Sequence, residues 1–185
     1  MRERPGDDTD LLERLRAGDP RAFEELVRTY QHRVFGVALR MLQNPAEAED
    51  IAQEVFLRVY RAIGAFRGDA KLSTWLYGIT SNLCVNRLTA ASRTRMRHDE
   101  EALAQAPSEM PDATAAMERG EVEAALDQAI AELPDERRIV IVLRDLEGLS
   151  YEEIAEVLGL ELGTVRSRLH RARMDLKSKM ERFLA

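Results

Sequence analysis

Apolar residues recur three and four positions apart along most of the chain, and the strict alternation of a strand is nearly absent. The first clear stripe is Phe23, Leu26, Val27, Tyr30, Val34, Val37, Ala38 and Met41. Asp19-Pro20 precedes it, an N-cap followed by proline at the first helical position. Asn44-Pro45 repeats that start signal, with Glu47 at the capping-box position, and the helix it opens turns Ile51, Val55, Val59 and Ala62 inward. Gly64 to Gly68 breaks it. A further helix begins near Leu72 and carries Trp75, Leu76, Ile79, Leu83 and Leu88. From Arg93 to about Met117 the period fails, among Pro107, Pro111, small residues and acids, which predicts a linker. Periodicity returns at Val122, Leu126, Ile130 and Leu133, breaks at Pro134-Asp135, and resumes from Ile139 to Leu146, with Gly148 after it. The pattern predicts an all-α fold. Two small helical domains, residues 1–95 and 119–185, are joined by a flexible acidic linker over 96–118, and the second contains a helix-turn-helix.

Composition narrows the class. The longest apolar run, Ile139 to Leu143, is far short of the roughly 18 residues of a membrane span, so no membrane insertion is expected. The opening residues Met1 to Asp8 lack the apolar stretch of a secretory signal. One cysteine, Cys84, leaves no intrachain disulfide and no multi-thiolate zinc site, and a cytoplasmic location is expected. The net charge of −6 conceals segregation: Asp99 to Glu136 carries −11, and the rest of the chain +5. Arg87, Arg93, Arg95 and Arg97 form one basic cluster with no acid among them. A second lies between Glu161 and Arg182, where seven bases face three acids. Such asymmetry suits a polyanionic partner, although a charge run is also what an ordinary solvated helix face looks like.

The segment from Ser150 to Leu169 weighs toward a nucleic-acid partner. Ser150 with Glu153 three residues on is a capping box, and Gly159 stands where a helix terminus needs positive φ. Val165, Leu169, Ala172, Leu176, Met180 and Phe183 form the buried stripe of the next helix. Ala155, Gly159 and Val165 supply the small residue, turn glycine and β-branched contact that two closely crossing helices require. Arg166, Ser167, His170 and Arg171 then share the opposite stripe. Arginine can donate two hydrogen bonds to guanine in the major groove, and serine serves several bases. Arg168, Arg173 and Lys177 flank the stripe and suit phosphate contacts. The bland alternative is an amphipathic terminal helix with a charged face.

Three separated segments resemble the extracytoplasmic-function sigma factors of bacterial RNA polymerase, members of the sigma-70 family. Gly163 to Arg173 looks like that family's promoter-reading helix. Ala48 to Arg58 resembles its polymerase-binding helix, and Phe66-Arg67-Gly68-Asp69 with Trp75 to Asn82 resembles its strand-opening segment. The resemblance implies a factor that binds core RNA polymerase and promoter DNA, reading the −10 element with its N-terminal domain and the −35 element with its C-terminal one. It implies that Asp50, Gln53 and Glu54 dock on the polymerase clamp. It also implies that Phe66 and Asn82 line a pocket for a base flipped from the non-template strand, with Arg58 and Arg87 near the DNA. Trp75 is expected in the core more than as a stacking platform. Gly78 departs from the larger or basic residue of many relatives, and His170 from any fixed −35 code. An anti-sigma factor is the further partner implied. The acidic linker would then enter basic polymerase channels, or simply stay soluble.

Two other readings compete. A stand-alone helix-turn-helix regulator would bind DNA unaided, usually as a dimer, yet it leaves the N-terminal motifs unexplained. An enzyme finds no support: His32, His98 and His170 are scattered, and Cys84 beside Leu83 and Val85 reads as core. No catalytic residue, cofactor, metal or small-molecule substrate is expected.

Overall fold

The computed structural model describes residues 7–98 and 119–183, and every regular element among them is helical. In chain order these are α1 (Asp7–Arg16), α2 (Pro20–Leu42), α3 (Pro45–Ala62), a 3-10 turn (Ile63–Ala65) and α4 (Leu72–His98). After the linker come α5 (Arg119–Ala131), α6 (Asp135–Ile141) running into a π turn (Val142–Leu146), α7 (Tyr151–Leu158) and α8 (Leu162–Phe183).

The start signals act as the sequence implies. Asp19 accepts from the Arg21 N–H at 3.0 Å with Pro20 at the first helical position. That bond outweighs the opposing effect of partial burial and, with Arg14, holds the Asp19 carboxyl below its ordinary pKa. Asn44 caps α3 by accepting from Ala46 and Glu47 at 3.0 and 3.2 Å. The Glu47 carboxylate turns instead toward Arg87, 3.6 Å away. On α3, Ile51, Val55 and Val59 are buried, but Ala62 is exposed. The 3-10 turn tightens the chain there and brings Ile63 into the core in its place. Val122 likewise faces solvent at 46% exposure, and Ala125 and Ala129 form the buried edge of α5.

α4 differs most from the sequence expectation. It runs on through Arg93, a residue the broken period placed in the linker, and ends at His98. It is also buried on more than one face: besides Leu72, Leu76 and Leu83, it buries Ser73, Thr74, Tyr77, Thr80, Ser81 and Cys84. Burial pushes the Cys84 thiol up to about 12, which leaves it an inert core group.

The second covering layer is the C-terminal half of the molecule. α7 lies against α4, and α5 and α6 reach α2, so the two halves share one continuous hydrophobic core. Polar contacts line the seam. The Tyr77 hydroxyl donates to Glu147 at 2.5 Å, with Arg33 3.8 Å from the same carboxylate. Burial and this hydrogen bond raise the Tyr77 pKa well above the phenol's ordinary value, so the hydroxyl keeps its proton. Thr74 donates to Glu153 at 3.0 Å and the Lys71 ammonium lies 3.1 Å from it. Arg40 donates to Asp127 at 2.9 Å, and Arg138 reaches back to the Met41 carbonyl at 2.8 Å. The acidic stretch 99–118 lies outside the described residues.

Candidate polymerase and promoter interfaces

The helix-turn-helix is built as its sequence requires. Ser150 accepts from the Glu153 N–H at 3.1 Å, and the Glu153 carboxylate accepts from the Ser150 N–H at 2.7 Å. Gly159 adopts φ 63° and ends α7, a left-handed position that glycine tolerates without a Cβ penalty. Val165, Leu169 and Ala172 are fully buried under α8. The opposite stripe of Arg166, Ser167, His170 and Arg171 is exposed. Ser167 donates to the Thr164 carbonyl at 3.0 Å, which fixes its hydroxyl near the start of the helix.

The flanking arginines are engaged differently from the sequence reading. Arg173 makes two bonds to Asp145, at 3.0 and 2.5 Å, and these raise its pKa against a smaller opposing effect of burial. Arg168 pairs with Glu136 at 3.0 Å with 26% of its side chain exposed. Both therefore tie α8 to its own scaffold, as Arg137 does through Asp175 at 2.5 Å. Lys177 faces Glu181 one turn on. Glu136 and Asp145 lie on other elements, so spacing along α8 gave no sign of them, whereas Glu181 is the i+4 neighbour of Lys177 on α8 itself.

On α3, Asp50 and Gln53 are exposed and Glu54 is half-exposed, at offsets that put them on one face. Glu54 accepts from Arg58 at 2.7 Å, one turn further. The residues sequence reasoning gave to polymerase and to DNA thus meet in one ion pair. Leu57, 51% exposed, continues the same stripe and was not anticipated.

The loop after α3 holds Phe66. Its ring is half-buried and stacks on Trp75, with centroids 4.5 Å apart and planes 18° from parallel. Trp75 is thus half core and half backing for Phe66. Asn82 is exposed seven residues beyond Trp75 on α4, so it lies on the same stripe about 10.5 Å along the helix. Arg87 turns away from that stripe to face Glu47.

A helix-turn-helix with one exposed basic stripe, packed on a second helical unit that bears an exposed acidic stripe and an aromatic loop, is the arrangement expected of a sigma-70 factor. Comparison with known proteins agrees: residues 26–94 match the family description Sigma-70 region 2, and residues 123–176 match Sigma-70, region 4. The chain is 41% identical over 186 residues to the RNA polymerase sigma-H factor of Pseudomonas aeruginosa, covering 96% of this chain and 95% of that one. It is 38% identical over 181 residues to the ECF RNA polymerase sigma-E factor of Escherichia coli K12, covering 94% of each. In fold it is similar to the sigma factor RpoE of Bartonella quintana, solved with the anti-sigma factor NepR. There the TM-score is 0.70 and the identity 21%, over 86% of this chain and 96% of that one. CnrH, solved in complex with the cytosolic domain of CnrY, gives 0.68 at 24% identity, over 94% of this chain and 97% of that one. The chain belongs to the extracytoplasmic-function sigma factors of the sigma-70 family. It is an alternative sigma factor, a DNA-binding subunit that joins core RNA polymerase and directs it to promoters for initiation.

Proposed function

We propose the following division of labour. α8 reads the −35 element through Arg166, Ser167, His170 and Arg171, with Arg168 and Arg173 bracing the helix and shifting to phosphates on contact. The face of α3 bearing Asp50, Gln53 and Glu54 docks on core polymerase. Phe66 and Asn82 hold a base of the opened −10 strand, with Arg58 and Arg87 at its border. Residues 1–95 and 119–185 act as the two working domains, 96–118 as their connector. The chain works in the cytoplasm as a regulatory subunit and performs no catalysis of its own. An anti-sigma factor restrains it, in keeping with the sigma/anti-sigma complexes it resembles in fold, and the regulon answers an envelope or other stress.

One geometric fact bears on how this works. The −35 and −10 elements lie some 25 base pairs apart, about 85 Å of duplex at 3.4 Å per step. A compact chain of this length has a radius of gyration of about 16 Å. The two halves, packed together as α4 against α7, cannot both reach their elements. The packed form is therefore a closed one, and engagement of polymerase and promoter separates the halves. The 20 residues between His98 and Arg119 allow this, since they span up to about 70 Å when extended.

The observation that carries the reading is the exposed stripe on α8, raised on a helix-turn-helix whose first helix is capped at both ends. Start sites mapped by in vitro transcription with purified core enzyme define the promoter. Arg171→Ala should then weaken −35-dependent binding of the holoenzyme by about 1–3 kcal/mol and relax preference at one base position. Unchanged base preference with Arg166 and Arg171 both replaced overturns the assignment.

A further inference from the structure

α1 precedes the segment that matches region 2, yet it lies directly on the loop that carries Phe66. Leu11 and Leu15 bury its inner face, and Arg16 ends the helix on its exposed side. The Arg16 Nε donates to the Phe66 carbonyl at 3.0 Å, and Nη2 of the same guanidinium donates to the same oxygen. The Phe66 N–H is held as well, by the Ile63 carbonyl at 3.2 Å. Two residues on, Gly68 takes φ 82°, and a Cβ there would stand 3.3 Å from Leu12 and 3.5 Å from Arg16. The loop is therefore laid closely along α1, and a side chain at Gly68 would be strained by its positive φ and would press on the end of Leu12.

A basic residue in the last turn of a helix ordinarily does no more than complement the carbonyl end of that helix. Arg16 does something else: its donors converge on one carbonyl 50 residues away. That carbonyl belongs to the residue whose ring rests on Trp75.

We infer that Arg16 is a positioning residue for base capture. Its guanidinium clamps the Phe66 carbonyl and so sets the ring's stance before the DNA strand arrives. The inference rests on the reading of Phe66 and Asn82 given above. Fixing a backbone residue costs about 1–2 kcal/mol of conformational entropy, so a loop ordered beforehand captures an unstacked base faster and more selectively. The arrangement also sets an order of strength. A charge-assisted bond from a planar fork is not reproduced by lysine, which brings one point-charge donor to the same oxygen.

The test uses the full chain assembled with core polymerase, on a duplex promoter obtained by start-site mapping and on the same promoter with its −10 segment left unpaired. Arg16→Ala, Arg16→Lys and Phe66→Ala are compared with the natural chain. The readouts are permanganate reactivity of opened thymines, competition for core polymerase, and the penalty for each base substitution in the −10 segment. Arg16→Ala should open the duplex on the order of tenfold more slowly, the equivalent of one lost charge-assisted bond, and should flatten discrimination on both templates. Affinity for core polymerase should stay as it is, the melting temperature should fall by less than the slower opening implies, and Arg16→Lys should recover part of the loss. If Phe66→Ala is impaired while Arg16→Ala opens and discriminates normally, the inference is overturned and the loop reading stands. Normal behaviour of Phe66→Ala overturns the loop reading itself. Loss of core affinity or thermal stability in Arg16→Ala in proportion to its slower opening makes the residue merely structural and also overturns the inference.

Discussion

Gly78 lies on the seam between the two halves, and it offers a test whose sign changes with side-chain size. It stands inside α4, and a Cβ built on it meets only Val157 of α7, at 3.8 Å. Alanine therefore fits in ordinary van der Waals contact. It also removes the penalty for glycine in a helix interior, about 1 kcal/mol. Gly78→Ala should stabilise the chain by about that amount, which for this length raises the melting temperature by about 2–4 °C. A ring at the same position has no such room. Gly78→Phe should drive α7 away from α4 at an overpacking cost of about 1–3 kcal/mol and lower the melting temperature. Trimming the opposing side chain supplies the control: Gly78→Phe with Val157→Ala should recover much of the loss, a coupling of about 0.5–3 kcal/mol. Thermal unfolding by circular dichroism measures these variants beside the natural chain and Val157→Ala alone, and small-angle X-ray scattering should show Gly78→Phe expanded. The reasoning fails if the alanine and phenylalanine variants melt together, or if Val157→Ala gives the phenylalanine variant no relief. Such outcomes would mean that α7 does not rest on Gly78 in solution.

Two further predictions concern the seam. Arg138, with 9% of its side chain exposed, donates to the Ile130, Ala131 and Leu133 carbonyls at the end of α5 and to Met41 of α2, at 2.6–3.2 Å. Arg138→Met leaves these acceptors without their donor and should cost about 3 kcal/mol, a fall in melting temperature of about 6–12 °C; a fall under about 2 °C refutes it. Glu153 is pushed up by burial, but the Ser150 N–H, Lys71 and Thr74 outweigh this and hold its pKa below the ordinary 4.5. A depressed carboxylate stabilises the fold above its unfolded pKa and loses that contribution as pH falls through the folded value. Melting of Glu153→Gln against the natural chain should thus differ at neutral pH and converge below about pH 4.5; a constant gap across that range argues against the ion pair.

What was legible in the sequence was local. Asp19, Asn44, Ser150 and Gly159 announced their caps because a cap is decided within four residues, and the exposed stripe of α8 followed from helical period alone. What escaped was every partner chosen at a distance. Arg168 and Arg173 looked free for phosphates, because Glu136 and Asp145 sit on other elements. Glu153 read as half of a capping box, and it is that, but its carboxylate also bonds Thr74 and Lys71 across the seam. α4 misled in two ways. Its tail of alanine, serine and arginine has helical propensity without an apolar period, so it looked like linker. Its second buried face is polar, which hides it from any search for hydrophobic stripes.

That polar character bears on the proposed opening of the packed form during initiation. An interface closed only by large apolar side chains would expose them to water on parting, and separation would resemble unfolding. Here Tyr77 with Glu147, Thr74 and Lys71 with Glu153, and Arg40 with Asp127 join the two halves, and each group regains water when they part. The net value of such bonds is small, about 0.5–1.5 kcal/mol each, because hydration replaces them. Both halves also contribute to the shared core, Leu26, Val34, Val55 and Leu76 from one and Leu143, Ile154, Val165 and Leu169 from the other. The seam thus combines exchangeable polar bonds with part of the shared apolar core, and on the proposed division of labour it would be loaded from both sides, by polymerase on α3 and promoter DNA on α8.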